Sequence, residues 1–140
     1  MINILLVDDH ELFRAGMRSI LEHHEDMTVI GEADSGEAAV DFVRKTAPDV
    51  VMMDLVMPGM DGVAPALQIQ ENFRTPVFIL SAYETPELVH KASEAGVNAY
   101  LLKPPDSRDL ERAITLAMAR FEDMVALRRL NDELQASNAE

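Results

Sequence analysis

The sequence predicts an α/β fold, in which a parallel sheet has helices on both faces, and three observations carry this prediction. Short apolar runs recur five times with little polar alternation, which is typical of strands buried on both faces. Amphipathic stretches with a period of about 3.6 residues lie between the runs. Polar side chains follow several runs directly, where parallel strands end together. We therefore expect a (βα)5 domain over about residues 1–120.

The elements follow one another in the order that this fold requires. The predicted strands are residues 2–7, 27–31, 50–53, 77–80 and 99–102. Three helices show apolar stripes facing a core, formed by Phe13, Met17, Ile20 and Leu21, by Ala39, Phe42 and Val43, and by Leu88, Ala92 and Ala95.

Boundary residues support these assignments. Ser35 precedes the second helix, and Thr85 followed by Pro86 is typical of an N-cap with proline at the first helical position. Gly96 is placed to end the helix before it. Pro76 stands at the start of the fourth strand, where its missing N–H group is tolerated.

The C-terminal segment predicts a helix longer than the domain needs. From Ser107 to about residue 136 no Gly or Pro interrupts good helix formers, and such a helix would span about 45 Å. We expect residues 121–140 to project as a coiled-coil-like linker that forms a two-stranded dimer, and a solitary helix is the alternative. Its irregularly spaced apolar positions are Phe121, Met124, Leu127, Leu130 and Leu134. The uncapped end suggests a segment of a longer protein, with an output domain beyond residue 140.

Composition narrows the class of protein. A length of 140 residues suits one domain, and 48% hydrophobic residues suffice for a core. There is no cysteine, which excludes disulfides and thiolate metal sites. The net charge of −13 argues against direct binding to nucleic acid or an anionic membrane. Without a signal peptide or an apolar run of about 20 residues, we expect a soluble, cytoplasmic protein.

Charged and polar residues at the strand ends predict the functional site. Asp8 and Asp9 follow the first strand, Asp54 the third and Lys103 the fifth, while Ser81 closes the fourth. In a parallel sheet these side chains converge on one edge. Each alone has a simpler explanation, such as a helix cap or a solvated charge, and their joint placement favours a site. Clustered carboxylates repel unless a cation lies among them, and Mg²⁺ is the usual one.

The arrangement suggests phosphoryl transfer onto Asp54, because a carboxylate is a competent nucleophile that yields an acyl phosphate. Lys103 would neutralise charge on the transferring oxygens, and the Ser81 hydroxyl could hydrogen-bond a phosphoryl oxygen.

The expected ligands of Mg²⁺ are Asp9, Asp54 and a backbone carbonyl, for which we take that of Val56. Asp8 would act mainly through a metal-bound water. His10 follows the acid pair, and two carboxylates with a histidine would also suit a transition metal.

Four fragments then carry a resemblance to a known family: LLVDDH at residues 5–10, MMDLVMPGMDG at 52–62, ILSA at 79–82 and AYLLKP at 99–104. With these motifs in order, the chain resembles the receiver domain of bacterial two-component response regulators, of the CheY-like superfamily. The resemblance implies a flavodoxin-like three-layer sandwich with strand order 2-1-3-4-5. It also implies Mg²⁺-dependent phosphorylation of Asp54 by a sensor histidine kinase or a phosphotransfer protein. The domain would be a signalling module and not an enzyme acting on other substrates.

The resemblance also implies finer properties. Ser81 and Tyr100 would form the switch, and the Lys103–Pro104 peptide would be cis. His10 would be a helix-start residue. Val56 and Tyr83 would flank the path of the attacking water, and because neither has a carboxylate or amide, we predict slow self-dephosphorylation. Pro105 departs from the family's usual aromatic or apolar residue at that position, which leaves the entry of the last helix open.

Three alternatives concern the output and the class of protein. The tail resembles linkers that precede RNA-binding ANTAR, diguanylate cyclase or histidine kinase domains, whereas a DNA-binding output usually follows a flexible linker. An aspartyl-phosphate hydrolase would normally carry a second Asp two residues after the nucleophile, where this chain has Val56. A structural pseudo-receiver that only dimerises would not need the acid pair, Asp54 and Lys103.

Overall fold

A parallel five-stranded sheet organises the structure, a computed structural model that describes residues 1–57, 60–97 and 99–138. For residues 60, 61, 137 and 138 only the backbone is described. We number the sheet strands β1 to β5. Their bounds are Ile2–Val7 (β1), Met27–Ala33 (β2), Val50–Met53 (β3), Val77–Ser81 (β4) and Tyr100–Leu102 (β5).

The strands are arranged in the spatial order β2-β1-β3-β4-β5, and all neighbouring pairs are parallel. This confirms the predicted order 2-1-3-4-5. Along β1 and β3, Val7 lies opposite Met53, so the two strands end side by side. The residues that follow them, Asp8 and Asp54, are thereby brought to the same edge.

Five helices connect and cover the strands. They are α1 (Glu11–Glu22), α2 (Gly36–Thr46), α3 (Val63–Asn72), α4 (Pro86–Glu94) and α5 (Ser107–Asn138). The Ser35 hydroxyl accepts the Ala38 N–H at 3.2 Å at the start of α2. The Thr85 hydroxyl caps α4, which begins at Pro86. Gly96 takes a left-handed backbone with φ of 73° just after α4, as expected of a helix-ending glycine. These boundaries agree with the sequence prediction.

Two cores lie on opposite faces of the sheet and complete the predicted sandwich. On β1, Ile4 and Leu6 face one core, and Leu5 and Val7 face the other, because strand side chains alternate. The first core also receives α1 and α5, through residues such as Met17, Leu21, Leu110 and Ile114. The second receives α2, α3 and α4, through residues such as Val40, Val43, Ile69 and Ala92.

Two local features were not anticipated. The stretch after Asp54 contains Pro58, Gly59 and Gly62, which predict a turn-rich loop before the next helix. The structure adds a short antiparallel pair there, Val56–Met57 with Met60–Asp61. Pro58 and Gly59 lie outside the described residues. The second feature is α3, for which no apolar stripe was predicted. Its buried Gln70 donates a hydrogen bond to the Ala95 carbonyl at 2.5 Å, a polar contact that an apolar pattern does not reveal.

The last helix divides into a packed and an exposed part. Leu110, Ile114 and Phe121 are buried against the sheet, whereas Leu127, Leu130 and Leu134 are 58–68% exposed. We call residues 122–138 of α5 the distal helix. The prediction that one helix runs from Ser107 beyond the domain is confirmed, and its dimerisation stays a prediction. Within the described residues no helix combines the length and apolarity needed to cross a membrane.

Candidate functional site at the carboxyl edge of the sheet

Two buried carboxylates share one ammonium group at this edge. Lys103 Nζ lies 2.5 Å from Asp8 Oδ2 and 2.9 Å from Asp54 Oδ2. The three residues follow β1, β3 and β5, so the sheet order brings together groups that are 49 and 95 positions apart. Charges removed from water need such pairing, because an unpaired buried charge is costly. The predicted convergence of Asp8, Asp54 and Lys103 is therefore present.

Both oxygens of Asp54 are held by donors from different elements. Oδ2 accepts the Lys103 ammonium, and Oδ1 accepts the backbone N–H of Val56 at 3.0 Å. The backbone N–H of Asp54 itself donates to the Val7 carbonyl at 3.0 Å, which extends the pairing of β1 with β3 by one residue. The carboxylate is thus fixed in position at the mouth of the central strand.

Asp8 and Lys103 stabilise each other's charged forms. Burial by itself would raise the pKa of Asp8, but the hydrogen bonds from Lys103 and from the His10 N–H hold it below its ordinary value. Burial would likewise lower the pKa of Lys103, and the hydrogen bonds to Asp8 and Asp54 raise it. At neutral pH the edge therefore carries an ionised Asp8 and a protonated Lys103.

An aromatic ring covers the shared ammonium. Lys103 Nζ lies 4.2 Å from the centroid of the Phe13 ring, a distance typical of a cation–π contact. Phe13 belongs to the apolar stripe of α1, and sequence reasoning assigned it only to the core. The sequence feature that could have suggested this contact is an aromatic stripe residue in the first turn of the helix that follows the acid pair.

The acid pair is joined by His10. The His10 ring nitrogen Nδ1 lies 3.2 Å from Oδ1 of Asp8 and 3.2 Å from Oδ1 of Asp9. Asp9 Oδ1 is buried without a hydrogen-bond donor among the described residues, so its approach to the ring nitrogen is not a hydrogen bond. His10 is the N-cap residue of α1, which confirms its predicted place at the helix start. Its contact with both carboxylates was not predicted.

The donor set suits a hard divalent cation. Asp8, Asp9 and His10 place ligand atoms within 4.8 Å of one another. The buried Asp9 oxygen that lacks a donor is the kind of atom that a cation would satisfy, and carboxylate oxygens are the ligands that Mg²⁺ prefers. The residues present therefore fit Mg²⁺. The predicted ligand set, Asp9, Asp54 and the Val56 carbonyl with Asp8 acting through a water, remains a prediction.

Ser81 and Tyr100 both form hydrogen bonds with the backbone of Tyr83. The buried Ser81 hydroxyl accepts the Tyr83 N–H at 3.4 Å, and the Tyr100 hydroxyl donates to the Tyr83 carbonyl. Burial raises the pKa of Tyr100, a hydrogen bond with the Ser81 side chain acts against this, and the negative charges of Glu84 and Asp54 raise it further. The two predicted switch residues thus hold the same backbone segment after β4, a connection that the sequence alone did not indicate.

The backbone before the last helix is also as expected. The Lys103–Pro104 peptide is cis, which confirms the conformation that the family resemblance implied. The Lys103 N–H donates to the Ser81 carbonyl at 2.8 Å, so β5 remains paired with β4 up to Lys103.

Comparisons with known proteins give one consistent family. The model of the response regulator receiver domain matches residues 4–115. The transcriptional regulatory protein LiaR of Bacillus subtilis is 40% identical over 118 residues, covering 84% of this chain and 56% of LiaR. The transcriptional regulatory protein PdtaR of Mycobacterium tuberculosis is 37% identical over 124 residues, covering 89% of this chain and 60% of PdtaR.

Solved structures agree with the sequence relatives. The receiver domain of the putative response regulator NarL from Mycobacterium tuberculosis superposes with a TM-score of 0.75 at 34% identity, covering 81% of this chain and 93% of that one. A LuxR-family two-component response regulator from an Aurantimonas species gives a TM-score of 0.76 at 30% identity, with coverages of 91% and 97%. The chain spans a little over half the length of the curated relatives it matches.

Proposed function

The chain belongs to the response regulator receiver domain family, and from that premise we propose that Asp54 accepts a phosphoryl group from a sensor histidine kinase or a phosphotransfer protein. The observation that carries this proposal is the buried Asp54 carboxylate, which ends the central strand with Lys103 Nζ at 2.9 Å. A nucleophile fixed beside a cation is what phosphoryl transfer requires of a protein.

The proposed step is a single displacement at phosphorus. One Asp54 oxygen forms a bond to phosphorus while the bond between phosphorus and the donor's histidine nitrogen breaks, and the electron pair stays on that nitrogen. Lys103 offsets negative charge on the transferring oxygens, because it already lies between Asp8 and Asp54. The product is an acyl phosphate on Asp54.

Mg²⁺ is the proposed cofactor. Asp9, Asp54 and the Val56 carbonyl would hold it, with Asp8 acting mainly through a bound water. The cation would supply positive charge for the phosphoryl oxygens. Support comes from Asp9 Oδ1 of the acid pair, which is buried and has no hydrogen-bond donor among the residues that the structure describes.

The readout is proposed to pass from Ser81 to Tyr100. A phosphoryl group on Asp54 brings new acceptor oxygens to the edge of the sheet, and the Ser81 hydroxyl is the donor placed on the neighbouring strand β4. A shift of Ser81 toward them would break its hydrogen bond with the Tyr83 N–H. Because Tyr100 donates to the carbonyl of the same Tyr83, that movement would release the ring to turn inward.

The lifetime of the acyl phosphate is proposed to be long. Val56 and Tyr83 are both exposed near Asp54 and Ser81, and neither can activate a water molecule as a carboxylate or amide could. Rapid loss of the label from Asp54 in the presence of Mg²⁺ would contradict this. The domain is accordingly a signalling module whose chemistry is confined to its own modification.

The proposed partners would bind at two different regions of the molecule, the carboxyl edge of the sheet and the distal helix. The carboxyl edge would meet the kinase or phosphotransfer protein, and the exposed leucines of the distal helix would pair with a second copy. Relatives carry names such as transcriptional regulatory protein, so we propose an output domain beyond residue 140. With its net charge of −13 the segment itself is not expected to bind nucleic acid, and a cytoplasmic location stays a prediction.

The decisive experiment measures the mass of the intact protein after incubation with acetyl phosphate and Mg²⁺. The wild type should gain one phosphoryl group, and Asp54→Ala should gain none. Asp41→Ala is the matched control, because Asp41 is an exposed carboxylate paired with Lys45 and should leave labelling intact. No labelling of the wild type would favour a pseudo-receiver that only dimerises. Continuous phosphate release without accumulated label would favour the hydrolase.

A further inference from the structure

The backbone of Asp8 is held from two sides by the end of β2. The Asp8 N–H donates to the Ala33 carbonyl at 3.0 Å, which continues the parallel pairing of β1 with β2. The Asp8 carbonyl accepts Nη1 of Arg14 at 2.5 Å, and Nε of the same guanidinium lies 3.0 Å from Oε1 of Glu32. Glu32 and Ala33 are consecutive residues, so the end of one edge strand fixes Asp8 through both its N–H and its carbonyl.

This contact matters because of the peptide on which it acts. The Asp8 carbonyl belongs to the peptide group that joins Asp8 to Asp9, and the backbone dihedrals on its two sides, ψ of Asp8 and φ of Asp9, set how the two side chains lie relative to each other. Anchoring both the N–H and the carbonyl of Asp8 constrains the first of these dihedrals. The connection from β1 to α1 comprises only residues 8–10, and its first N–H, that of Asp8, still pairs with β2. Arg14 adds a second anchor at the Asp8 carbonyl.

Arginine suits this role for geometric reasons. Its planar guanidinium offers donors at fixed angles and can bind two acceptors at once, here a carbonyl and a carboxylate, whereas a lysine ammonium is a flexible point charge. The Arg14 side chain is only 15% exposed, so its pair with Glu32 is better shielded from water than an ordinary surface pair.

We propose that Arg14 and Glu32 are positioning residues that set the affinity of the acid pair for its divalent cation. They act through the Asp8–Asp9 peptide and do not ligate the cation themselves. The inference rests on the proposed function, since it assumes that Asp8 and Asp9 hold Mg²⁺. Partners of metal ligands typically change metal affinity by tenfold or more when they are removed.

Arg18 provides a matched control in the same helix. It lies one turn after Arg14 and binds the same Glu32, with Nη2 at 3.0 Å from Oε2, but its backbone contact is with the Val29 carbonyl and not with Asp8. Removing Arg18 therefore removes a comparable ion pair from α1 and β2 without releasing the Asp8–Asp9 peptide.

The experiment is a calorimetric titration of the 140-residue protein with Mg²⁺, made for wild type, Arg14→Ala, Arg14→Lys, Glu32→Gln and Arg18→Ala. We expect Arg14→Ala to weaken binding by about tenfold or more. Arg14→Lys and Glu32→Gln should lie between it and the wild type, because each retains part of the contact. Arg18→Ala should stay within about twofold of the wild type. Thermal unfolding without Mg²⁺ identifies any variant that is not folded, and the two conservative variants then carry the test.

The possible outcomes distinguish failure of the positioning role from failure of the proposed function. If the wild type binds Mg²⁺ and folded Arg14→Ala binds it equally well, the positioning role is wrong and the proposed function stands. Equal weakening by Arg14→Ala and Arg18→Ala would also overturn the positioning role, since it would reflect loss of positive charge or of helix packing. A wild type that binds no Mg²⁺ would overturn the proposed cofactor and, with it, this inference.

Discussion

The carboxyl edge of the sheet and the distal helix place their side chains in opposite circumstances. At the edge, charged groups are buried and satisfied within the chain: Lys103 binds Asp8 and Asp54, and Phe13 covers the ammonium. In the distal helix, apolar groups are exposed: Leu127, Leu130 and Leu134 lie on its surface.

This difference indicates where each region depends on another molecule. Protein interiors are usually apolar, but at the carboxyl edge this domain buries charged groups. These groups would lower its stability if they were not paired. Buried charged groups with shifted pKa values are typical of functional sites. An exposed leucine series on a helix is instead typical of an interface. The edge is therefore where the proposed phosphoryl donor and cation would bind, whereas the exposed leucines of the distal helix are the surface that the proposed dimer would bury.

The largest effect is expected at the edge. Lys103→Met should lower the free energy of unfolding by about 3–5 kcal/mol in the absence of Mg²⁺, because two buried carboxylates lose their shared cation. Urea denaturation in EDTA measures it. Lys45→Met is the control, since Lys45 is 70% exposed and its pair with Asp41 should contribute less than about 1 kcal/mol. Equal losses in the two variants would mean that the edge behaves like ordinary surface.

The next effect should mark the boundary between the packed helix and the distal helix. Phe121→Ala should lower the free energy of unfolding by about 3 kcal/mol, because Phe121 is buried where α5 leaves the sheet. Leu127→Ala, one and a half turns further on, should change it by less than about 0.5 kcal/mol in the monomer. Urea denaturation of both variants at low protein concentration tests this prediction. A large loss for Leu127→Ala would show that the distal helix is held within its own chain.

The dimer prediction concerns the distal helix alone. Leu130→Glu should weaken self-association by at least about tenfold, because each copy would lose the burial of one leucine and gain a charge in the contact. Sedimentation velocity over a range of concentrations measures it. Leu116→Glu is the control, since Leu116 is similarly exposed on α5 but lies outside the distal helix. A wild type that stays monomeric at all concentrations would contradict the dimer.

The smallest effect is expected at the switch. Tyr100→Phe should lower the free energy of unfolding by about 1 kcal/mol, because it removes one neutral hydrogen bond to the Tyr83 carbonyl. Labelling of Asp54 by acetyl phosphate should be unchanged, since the proposed chemistry does not use the Tyr100 hydroxyl. Intact mass and denaturation measured on the same samples check both statements. Loss of labelling would move Tyr100 from the readout into the phosphorylation site.

Much of the site could be predicted because its residues occupy the ends of strands. Asp54 and Lys103 each follow an apolar run, and the parallel order fixes which runs end together, so their meeting required no knowledge of side-chain contacts. The Val56–Met57 strand escaped prediction because two residues give no periodicity. Gln70 escaped for a related reason, since a buried amide looks like a surface residue until its partner, the Ala95 carbonyl, is known.

The sequence by itself determined the fold, the order of the strands through the family resemblance, and the identity of the charged residues at the strand ends. Apolar periodicity suffices for the elements and for the residues at their ends, because it is a local property that repeats along the chain. The strand order rested on the resemblance alone. Only the tertiary structure decided how the charged residues are held: Phe13 over Lys103, His10 between Asp8 and Asp9, and Arg14 with Glu32 on the Asp8 carbonyl. The contacts of Phe13 and Arg14 join residues of different elements at spacings that follow no helical or strand period, so they are set by how α1 lies beside the ends of β1, β2 and β5. Those of His10 are local, and they depend on the conformation of the short connection from β1 to α1.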